Sequence, residues 1–268
     1  MTGNTHQPHP PPETPLVGRE RELALLGAGL TAAIAGHGRV VLVSGEPGIG
    51  KTRLAEELAA DAAAQGVAVR WGRCREGAGT PAFWPWVQIL RAQLGATEAA
   101  DLQAQLGSGA VEMVRLVPDL QERLPGVAAL PLAEDEGARF RLFESVVGFL
   151  RASSARQPLA LILEDLHWAQ PASVDLLRFL IDELHEARLL VIATYRDVEV
   201  SEPHPLSAVL QAPSYPPQVQ RVALAGLSEA EIGQLIAALG HEGSAAVAAR
   251  IHRESGGNPP SAGKATTG

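Results

Sequence analysis

Short apolar, β-branched runs recur along the chain, and segments with helical periodicity separate them. Runs of this kind are typical of strands that are buried on both faces of a parallel sheet. The pattern predicts strands at residues 40–43, 67–71, 159–163 and 189–193, with a weaker fifth strand at 219–224. Because these strands alternate with helical segments, we expect an α/β fold with a mainly parallel five-stranded sheet and helices on both of its faces.

The predicted helices follow from apolar residues that lie three or four positions apart. The pattern predicts one helix around Leu26, further helices at 51–64 and 173–187, and a mostly helical stretch at 85–151 that prolines interrupt. These helices would cover the sheet and complete the core of the protein.

The sequence near the C-terminal end predicts a second, smaller structural unit. Ser228 and Glu231 match a capping box, which opens a helix that ends near Leu239. A second helix is predicted at 244–254, and the two together indicate the start of a small helical subdomain. We therefore divide the chain into a disordered tail at 1–15, a core at 16–226, a partial helical subdomain at 227–260 and an unstructured tail at 261–268.

The composition excludes several classes of protein. The chain has 268 residues, of which 46% are hydrophobic, and its net charge is −8, so it can bury a large core and is not simply disordered. No apolar run approaches the roughly 20 residues that span a bilayer, and the first residues lack the features of a signal peptide. The single cysteine, Cys74, cannot form an internal disulfide. We therefore expect a cytoplasmic protein that does not bind membranes and, because it is acidic, does not bind DNA directly.

One segment fits the phosphate-binding motif G-x-x-x-x-G-K-[ST] at every fixed position, after a predicted strand and at the start of a predicted helix. Its glycines allow backbone N–H groups to curl around phosphates, and the helix N-terminus adds free donors. Lys51 would reach the β- and γ-phosphates, and Thr52 would offer its hydroxyl to Mg²⁺. The predicted nucleotide-binding residues in this segment are Gly45, Glu46, Pro47, Gly48, Ile49, Gly50, Lys51, Thr52 and Arg53.

Two acids, Glu164 and Asp165, end the third predicted strand. Ligands of open α/β sheets bind beside such strand ends, so these carboxylates point to chemistry at the phosphates. One would hold Mg²⁺ and the other would polarise the attacking water, and the sequence leaves open which acid has which role. The alternative is that they form an acidic cap for the following turn.

The fourth predicted strand ends close to Thr194 and Arg196, which could sense the γ-phosphate from the neighbouring strand. The alternative for Arg196 is simple solvation at the strand end. His167 and Trp168 are expected to pack locally. The predicted catalytic residues are Lys51, Glu164, Asp165 and Arg196, and the predicted metal ligands are Thr52, Glu164 and Asp165.

Six segments together carry a resemblance to a known family. They are LVGRERELALL, VLVSGEPGIGKTRLAEELA, FWPWVQILR, LALILEDLHWAQPASVDLLRFL, LLVIATYRDVEV and ESGGNP, and they cover about residues 16–259. The chain resembles the P-loop, AAA-like ATPase domain of STAND proteins, the signal-transduction ATPases with numerous domains. It is most similar to that of large ATP-binding regulators of the LuxR type and to related bacterial cyclase-associated ATPase modules.

This resemblance implies a P-loop core that binds ATP or ADP with Mg²⁺, followed by helical and winged-helix domains. It places Val17, Gly18 and Arg19 along the adenine pocket, and it implies that Pro259 in Gly257-Asn258-Pro259 closes over the nucleotide. Family members act as switches in signal transduction and transcription regulation: ADP holds a closed monomer, whereas ATP and an inducer permit self-association.

After Pro259 the sequence departs from the family pattern, because PSAGKATTG stands where an apolar helix would follow. We interpret the chain as truncated, whether as a fragment, a frameshifted product or a stand-alone remnant. The leading hypothesis is an ATP-binding switch module with weak Mg²⁺-dependent ATPase activity. The alternatives are a nucleotide-binding module without useful turnover and a P-loop kinase that acts on a small molecule.

Overall fold

A computed structural model describes residues 16–77, 79–127, 136–200, 204–210, 217–240 and 245–259. The two predicted tails, at 1–15 and 261–268, lie outside the described residues, as does the predicted helix start at Ser244.

Within the described residues, five parallel strands form one sheet in the order β2-β3-β4-β1-β5. The strands are β1 (Arg39–Ser44), β2 (Ala68–Arg73), β3 (Leu159–Glu164), β4 (Leu189–Tyr195) and β5 (Val219–Ala223). Each corresponds to one predicted strand within two residues at either end, and the predicted α/β class with a parallel sheet is confirmed.

Helices cover the sheet and extend beyond it. They are α1 (Glu20–Ile34), α2 (Lys51–Ala64), α3 (Trp84–Ala96), α4 (Ala99–Leu106), α5 (Ala110–Leu116), α6 (Glu136–Arg156), α7 (Pro171–Asp182), α8 (Pro205–Leu210), α9 (Glu229–Ala238) and α10 (Ala245–Ser255). Short 3₁₀ turns occupy Gly107–Gly109, Pro118–Arg123, Leu166–Trp168 and Asp197–Glu199. Within the described part of the chain, none of the helices has the length and apolar character needed to cross a membrane.

The prediction for α7 was wrong at both ends. The helix begins at Pro171 and ends at Asp182, whereas the sequence predicted 173–187. Proline suits the first helical position because its missing N–H has no partner there, so the helix starts two residues early. The residues up to Ala187 form a turn instead, in which the Ala187 N–H donates to the carbonyl of Leu184.

Alternate residues of the central strands supply two apolar layers, one on each face of the sheet. In β3, Leu161 packs in the layer with α3, α6 and α7, and Ile162 packs in the layer with α1 and α2. Strand side chains point to opposite faces in turn, so a strand between two helical layers is apolar at every position. The layers fix the sheet rigidly, and its carboxyl edge therefore forms a stable platform for the loops that follow each strand.

A third, smaller cluster joins α9 and α10 and consists of Leu227, Ile232, Leu235, Ile236 and Ala248. The predicted capping box is present at the start of α9: the Glu231 N–H donates to Ser228 Oγ, and the Ser228 N–H donates to Glu231 Oε2. The chain after α10 returns to the start of this unit, where the Leu227 N–H donates to the Gly257 carbonyl at 2.8 Å. A side chain at Gly226 would clash there, because its Cβ would lie 2.6 Å from the Gly256 carbonyl oxygen.

Candidate nucleotide-binding site

The phosphate loop, residues 45–52, connects β1 to α2 at the carboxyl edge of the sheet. Gly50 is the residue before α2 and has a φ of 104°, a conformation that side chains with a Cβ rarely adopt. Gly45 has a φ of 151°, and its Cβ would lie 2.9 Å from the Ile49 side chain. Glycine is therefore required at positions 45 and 50, and the first N–H groups of α2, which follow Gly50, have no acceptor within the helix itself.

Lys51 folds back into this loop. Its ammonium donates to the carbonyls of Gly45 and Glu46, both at 2.8 Å, and the residue is only 8% exposed. Burial lowers the pKa of Lys51, the positive charge of Arg196 lowers it further, and the carboxylate of Asp165 opposes both effects. The loop thus concentrates a positive charge and several backbone N–H groups in one place, which is the arrangement that binds phosphates.

Thr52 and Glu164 meet although 112 residues separate them in the chain. The Thr52 hydroxyl donates to Glu164 Oε1 at 2.8 Å, and Glu164 is buried. Both are hard oxygen ligands of the kind that Mg²⁺ prefers. Among the described residues, no group of three or more His, Cys, Asp or Glu side chains could hold a metal. Because both are oxygen ligands beside a phosphate-binding loop, the pair fits Mg²⁺ that is shared with phosphate oxygens, as Mg²⁺ usually is at nucleotide sites.

Asp165 is held from two sides in an unusual backbone conformation, with a φ of 57°. Its N–H donates to Thr194 Oγ1 at 3.1 Å, so the end of β4 fixes the turn that follows β3. Its carboxylate accepts from Arg73 Nε and Nη2, both at 3.3 Å, and Arg73 Nε also lies 3.9 Å from Glu164 Oε2. We call these four residues, Arg73, Glu164, Asp165 and Thr194, the acidic edge.

Arg73 is the residue of the acidic edge that the sequence analysis missed. It ends β2, and the register of the sheet places it directly beside Glu164. An arginine that ends a half-exposed strand carries no signal in sequence, because the neighbouring strand lies about 90 residues away in the chain. Cys74, the next residue, is buried, and burial followed by the charge of Asp165 raises the pKa of its thiol to about 12.

Arg196 follows β4 and contacts a neighbouring turn. Its Nη1 donates to Glu199 Oε1 at 2.6 Å, and its guanidinium carbon lies 4.9 Å from the ring centre of Trp168. Arg53, in contrast, pairs with Glu57 at 2.6 Å along the surface of α2. Of the remaining loop residues, Glu46 and Pro47 are exposed at its tip.

The segment before α1 lies between the phosphate loop and the helical unit. Arg19 is 4% exposed, and its Nη2 donates to the Ile49 carbonyl at 3.1 Å and to the Ala225 carbonyl at 2.8 Å. Gly18 has a φ of 68° and faces the Glu231 carboxyl group so closely that a Cβ would lie 2.6 Å from it.

Val17 packs against the α9–α10 cluster, and Pro259, at the far end of the chain, is half-buried. The structure thus brings Val17, Gly18 and Arg19 together with the loop and the helical unit.

Comparison with known proteins identifies the family to which most of the chain is similar. The family model described as "AAA ATPase domain" matches residues 15–192. An uncharacterized protein of Rhizobium meliloti (strain 1021) is 29% identical in an alignment of 198 residues that covers 70% of this chain and 19% of that protein. The chain therefore spans about a fifth of the length of this curated relative.

One of two similar solved structures shows the fold. The crystal structure of Cdc6p from Pyrobaculum aerophilum aligns with 91% of this chain and 56% of its own, at 18% identity and a TM-score of 0.51. A STAND protein with a tetratricopeptide repeat sensor from Pyrococcus horikoshii aligns with 93% of this chain and 29% of its own, at 18% identity and a TM-score of 0.48. The family model matches about two thirds of the chain, which also has the phosphate loop and the parallel sheet. The chain therefore belongs to the AAA ATPase domain family.

Proposed function

We propose that the chain is the ATP-binding, slowly hydrolysing switch module of a STAND-type signalling or transcriptional regulator. The contact between Thr52 and Glu164, beside an ammonium held inside the phosphate loop, is the observation that carries this proposal. It joins the two halves of a nucleotide site, one that binds phosphates and one that acts on them. The motifs shared with STAND regulators supply the assignment to a switch.

In this proposal the phosphate loop binds the nucleotide and Lys51 exchanges its two loop carbonyls for the β- and γ-phosphates. The exchange is favourable because a phosphate oxygen carries more charge than a carbonyl, so the new hydrogen bonds are stronger. Mg²⁺, when held by Thr52 and Glu164, would neutralise charge that develops on the phosphates. Lys51 and Glu164 are buried, and the lower local dielectric strengthens their charged contacts.

Asp165 is assigned to the attacking water. Glu164 is already engaged with the Thr52 hydroxyl, whereas the carboxylate of Asp165 lies at the outer side of the acidic edge and is held by Arg73. A carboxylate fixed in this way orients the water and accepts hydrogen bonds from it as it attacks the γ-phosphate. The sequence left open which of the two acids has which role, and this proposal assigns Glu164 to Mg²⁺ and Asp165 to the attacking water.

Thr194 and Arg196 complete the phosphate end of the site, Thr194 by fixing the turn of Asp165 and Arg196 by contact with the γ-phosphate. Val17, Gly18 and Arg19 are proposed to line the adenine pocket. Pro259 is proposed to close this pocket from the side of the helical subdomain. The boundary between the core and that subdomain is proposed to lie at 226–227. We further propose that the ATP state of the complete regulator self-associates.

Two other functions remain as alternatives. A module that binds nucleotide without useful turnover would have the same phosphate loop, and its acids would serve structure alone. A small-molecule kinase would also have a P-loop, but no acceptor pocket supports it among the described residues. A cavity of about 210 Å³ in the described part of the chain is lined by Tyr195, Asp197 and Arg221 among others, and neither Glu164 nor Asp165 is among its lining residues.

A phosphate-release assay with ATP and Mg²⁺ separates the leading proposal from the binding-only alternative. We expect slow turnover by the unaltered chain and none by a Glu164→Ala/Asp165→Ala double variant, with ADP affinity measured in parallel as the control. Equal phosphate release by both proteins would contradict a catalytic role for the acids. Absence of ADP binding by the unaltered chain would contradict the nucleotide site itself.

Direct binding of DNA is not part of the proposal. Non-specific DNA affinity depends on clustered cations that release counterions, whereas the net charge of this chain is −8 and its arginines are often paired with acids. We expect no mobility shift of duplex DNA at moderate salt. A clear shift caused by the isolated chain would contradict this expectation.

A further inference from the structure

The guanidinium of Arg196 belongs to a compact cluster of side chains, which we call the Arg196 cluster: His167, Trp168, Arg196 and Glu199. One edge of the guanidinium is bound by the Glu199 carboxylate at 2.6 Å, and one face lies over the Trp168 ring at 4.9 Å. Within the described residues these are its two partners. The orientation of Arg196 is therefore fixed in two directions, by an edge contact and by a face contact.

Glu199 is itself held by more than Arg196. After the larger effect of Arg196, the Trp168 side chain also lowers the pKa of Glu199, and His167 Nε2 lies 3.6 Å from Oε2. The hydrogen bond from Arg196 is the largest influence on the pKa of Glu199 and lowers it, so the carboxylate stays charged. The His167 ring is fully buried, and burial lowers its pKa, so it adjoins Glu199 as a neutral group.

The Arg196 cluster connects two turns at the carboxyl edge of the sheet. Trp168 follows Asp165 in the turn after β3, and Glu199 follows Arg196 in the turn after β4. The register of the sheet pairs Ser44, the last residue of β1, with Tyr195, the last residue of β4. Arg196 therefore leaves the sheet beside the point where the phosphate loop begins.

We propose that Glu199 and Trp168 are positioning residues that hold Arg196 in the orientation from which its remaining N–H groups contact the γ-phosphate. A guanidinium has five N–H donors, and the contact with Glu199 uses those on one edge. A free arginine side chain would lose rotamer freedom when it met the phosphate, and prior fixation removes much of that cost. The inference rests on the proposed function, in which Arg196 contacts this phosphate.

The test compares the affinity of the chain for a non-hydrolysable ATP analogue and for ADP, each with Mg²⁺, by calorimetry. The proteins are the unaltered chain, Arg196→Ala, Glu199→Ala and the double variant. We expect Arg196→Ala to reduce the preference for the triphosphate by about ten- to a hundred-fold. Glu199→Ala should reduce it by about three- to ten-fold, and the double variant should be no worse than Arg196→Ala alone.

Two further comparisons separate positioning from a general effect on the fold. Trp168→Phe keeps the ring under Arg196 and removes the N–H, so its loss of preference should be smaller than that of Trp168→Leu. Glu112→Gln alters an ion pair of the same spacing, with Arg115 on α5, and should leave the preference unchanged. ADP affinity should change little in all of these variants, since ADP has no γ-phosphate for Arg196 to meet.

Each result decides between distinct conclusions. If the losses of triphosphate preference multiply in the double variant, Glu199 does not act through Arg196, and the inference is overturned. An unchanged preference in Glu199→Ala would also overturn the inference, while the proposed function would stand. An unchanged preference in Arg196→Ala would overturn both the inference and the proposed contact of Arg196. Failure of the unaltered chain to bind either nucleotide would overturn the proposed function, and the inference with it.

Discussion

The phosphate loop and the acidic edge lie at the same end of the sheet and are held in different ways. The loop is continuous in sequence, and the backbone conformations of Gly45 and Gly50 set its shape. The Lys51 ammonium adds hydrogen bonds to two of its carbonyls. The acidic edge is assembled from the ends of three strands, and side-chain contacts hold it, from Arg73 to Asp165 and from Asp165 to Thr194.

This difference indicates which property each region controls. A loop shaped by its backbone keeps its form when one side chain is removed, so substitutions there should weaken nucleotide binding alone. At the acidic edge each charged group is positioned by another, so one substitution displaces its neighbours. Substitutions there should slow turnover and leave binding nearly intact.

The largest effect is expected from Asp165→Asn, which keeps the shape of the side chain and removes its charge. Turnover should fall by about a hundred-fold or more, since a carboxylate that assists the attacking water contributes about this much. ADP and ATP affinity should stay within several-fold of the unaltered chain. Steady-state phosphate release and calorimetry measure the two quantities.

The matched control at the acidic edge is Glu164→Gln. The proposed assignment requires this variant to need a higher Mg²⁺ concentration for half-maximal turnover. Its turnover at saturating Mg²⁺ should change less than this. If turnover survives in Asp165→Asn and disappears in Glu164→Gln, the two acids have the reverse roles.

A smaller effect, on binding, is expected from Lys51→Ala in the loop. The variant removes a charge-assisted contact of about 1.5–3 kcal/mol and should weaken ATP and ADP binding by about ten- to a hundred-fold. Circular dichroism should show an unchanged fold, because the loop conformation depends on its glycines. Unchanged nucleotide affinity in a folded variant would contradict the assignment of the loop.

The same contrast explains what could be predicted from the sequence. The loop was predictable residue by residue, because a glycine-rich turn between a buried strand and a helix is visible in one short stretch. Glu164 and Asp165 were recognisable as acids that end an apolar strand. Arg73 was not, because its role depends on β2 lying next to β3, and a strand order is a property of the whole chain.

The ends of α7 and the Arg196 cluster were likewise not predictable from the sequence. The start of α2 was predicted correctly because the motif fixes it, whereas α7 was misplaced because its apolar pattern continues into the turn after Asp182. The role of Glu199 could not be predicted from the sequence. An acid three residues after an arginine is common on protein surfaces, where such an ion pair contributes little to stability.

An intermediate effect is expected where the helical unit meets the site. Gly226→Ala places a Cβ 2.6 Å from the Gly256 carbonyl oxygen and should push the segment that ends in Pro259 away from the core. Overpacking of this kind costs about 1–3 kcal/mol, so we expect ADP release to accelerate by about ten-fold. Stopped-flow measurement with a labelled ADP gives the rate.

Gly233→Ala is the matched control, because it lies within α9 and its Cβ would meet the Ala248 side chain at an ordinary 3.8 Å. Alanine stabilises a helix interior relative to glycine, so this variant should release ADP at the rate of the unaltered chain. Equal release rates in all three proteins would show that the helical unit does not limit nucleotide exchange.

The smallest effect is expected from Arg73→Ala, and it tests whether side-chain charges do hold the acidic edge. The backbone of Arg73 is fixed separately, because Gln88 Nε2 donates to its carbonyl at 3.0 Å, so the substitution removes the guanidinium and leaves β2 in place. The Arg73 side chain is 55% exposed, and such a pair contributes at most about 1 kcal/mol to stability, so the melting temperature should hardly change. Turnover should nevertheless fall by about three- to five-fold at unchanged KM, since Asp165 loses the contact that orients it.

Arg75→Ala, two residues on and exposed, provides the control and should leave both parameters unchanged. If Arg73→Ala and Arg75→Ala turn over ATP at the same rate, then the backbone contact with Thr194 alone holds Asp165, and the two regions are built more alike than the contrast between them implies.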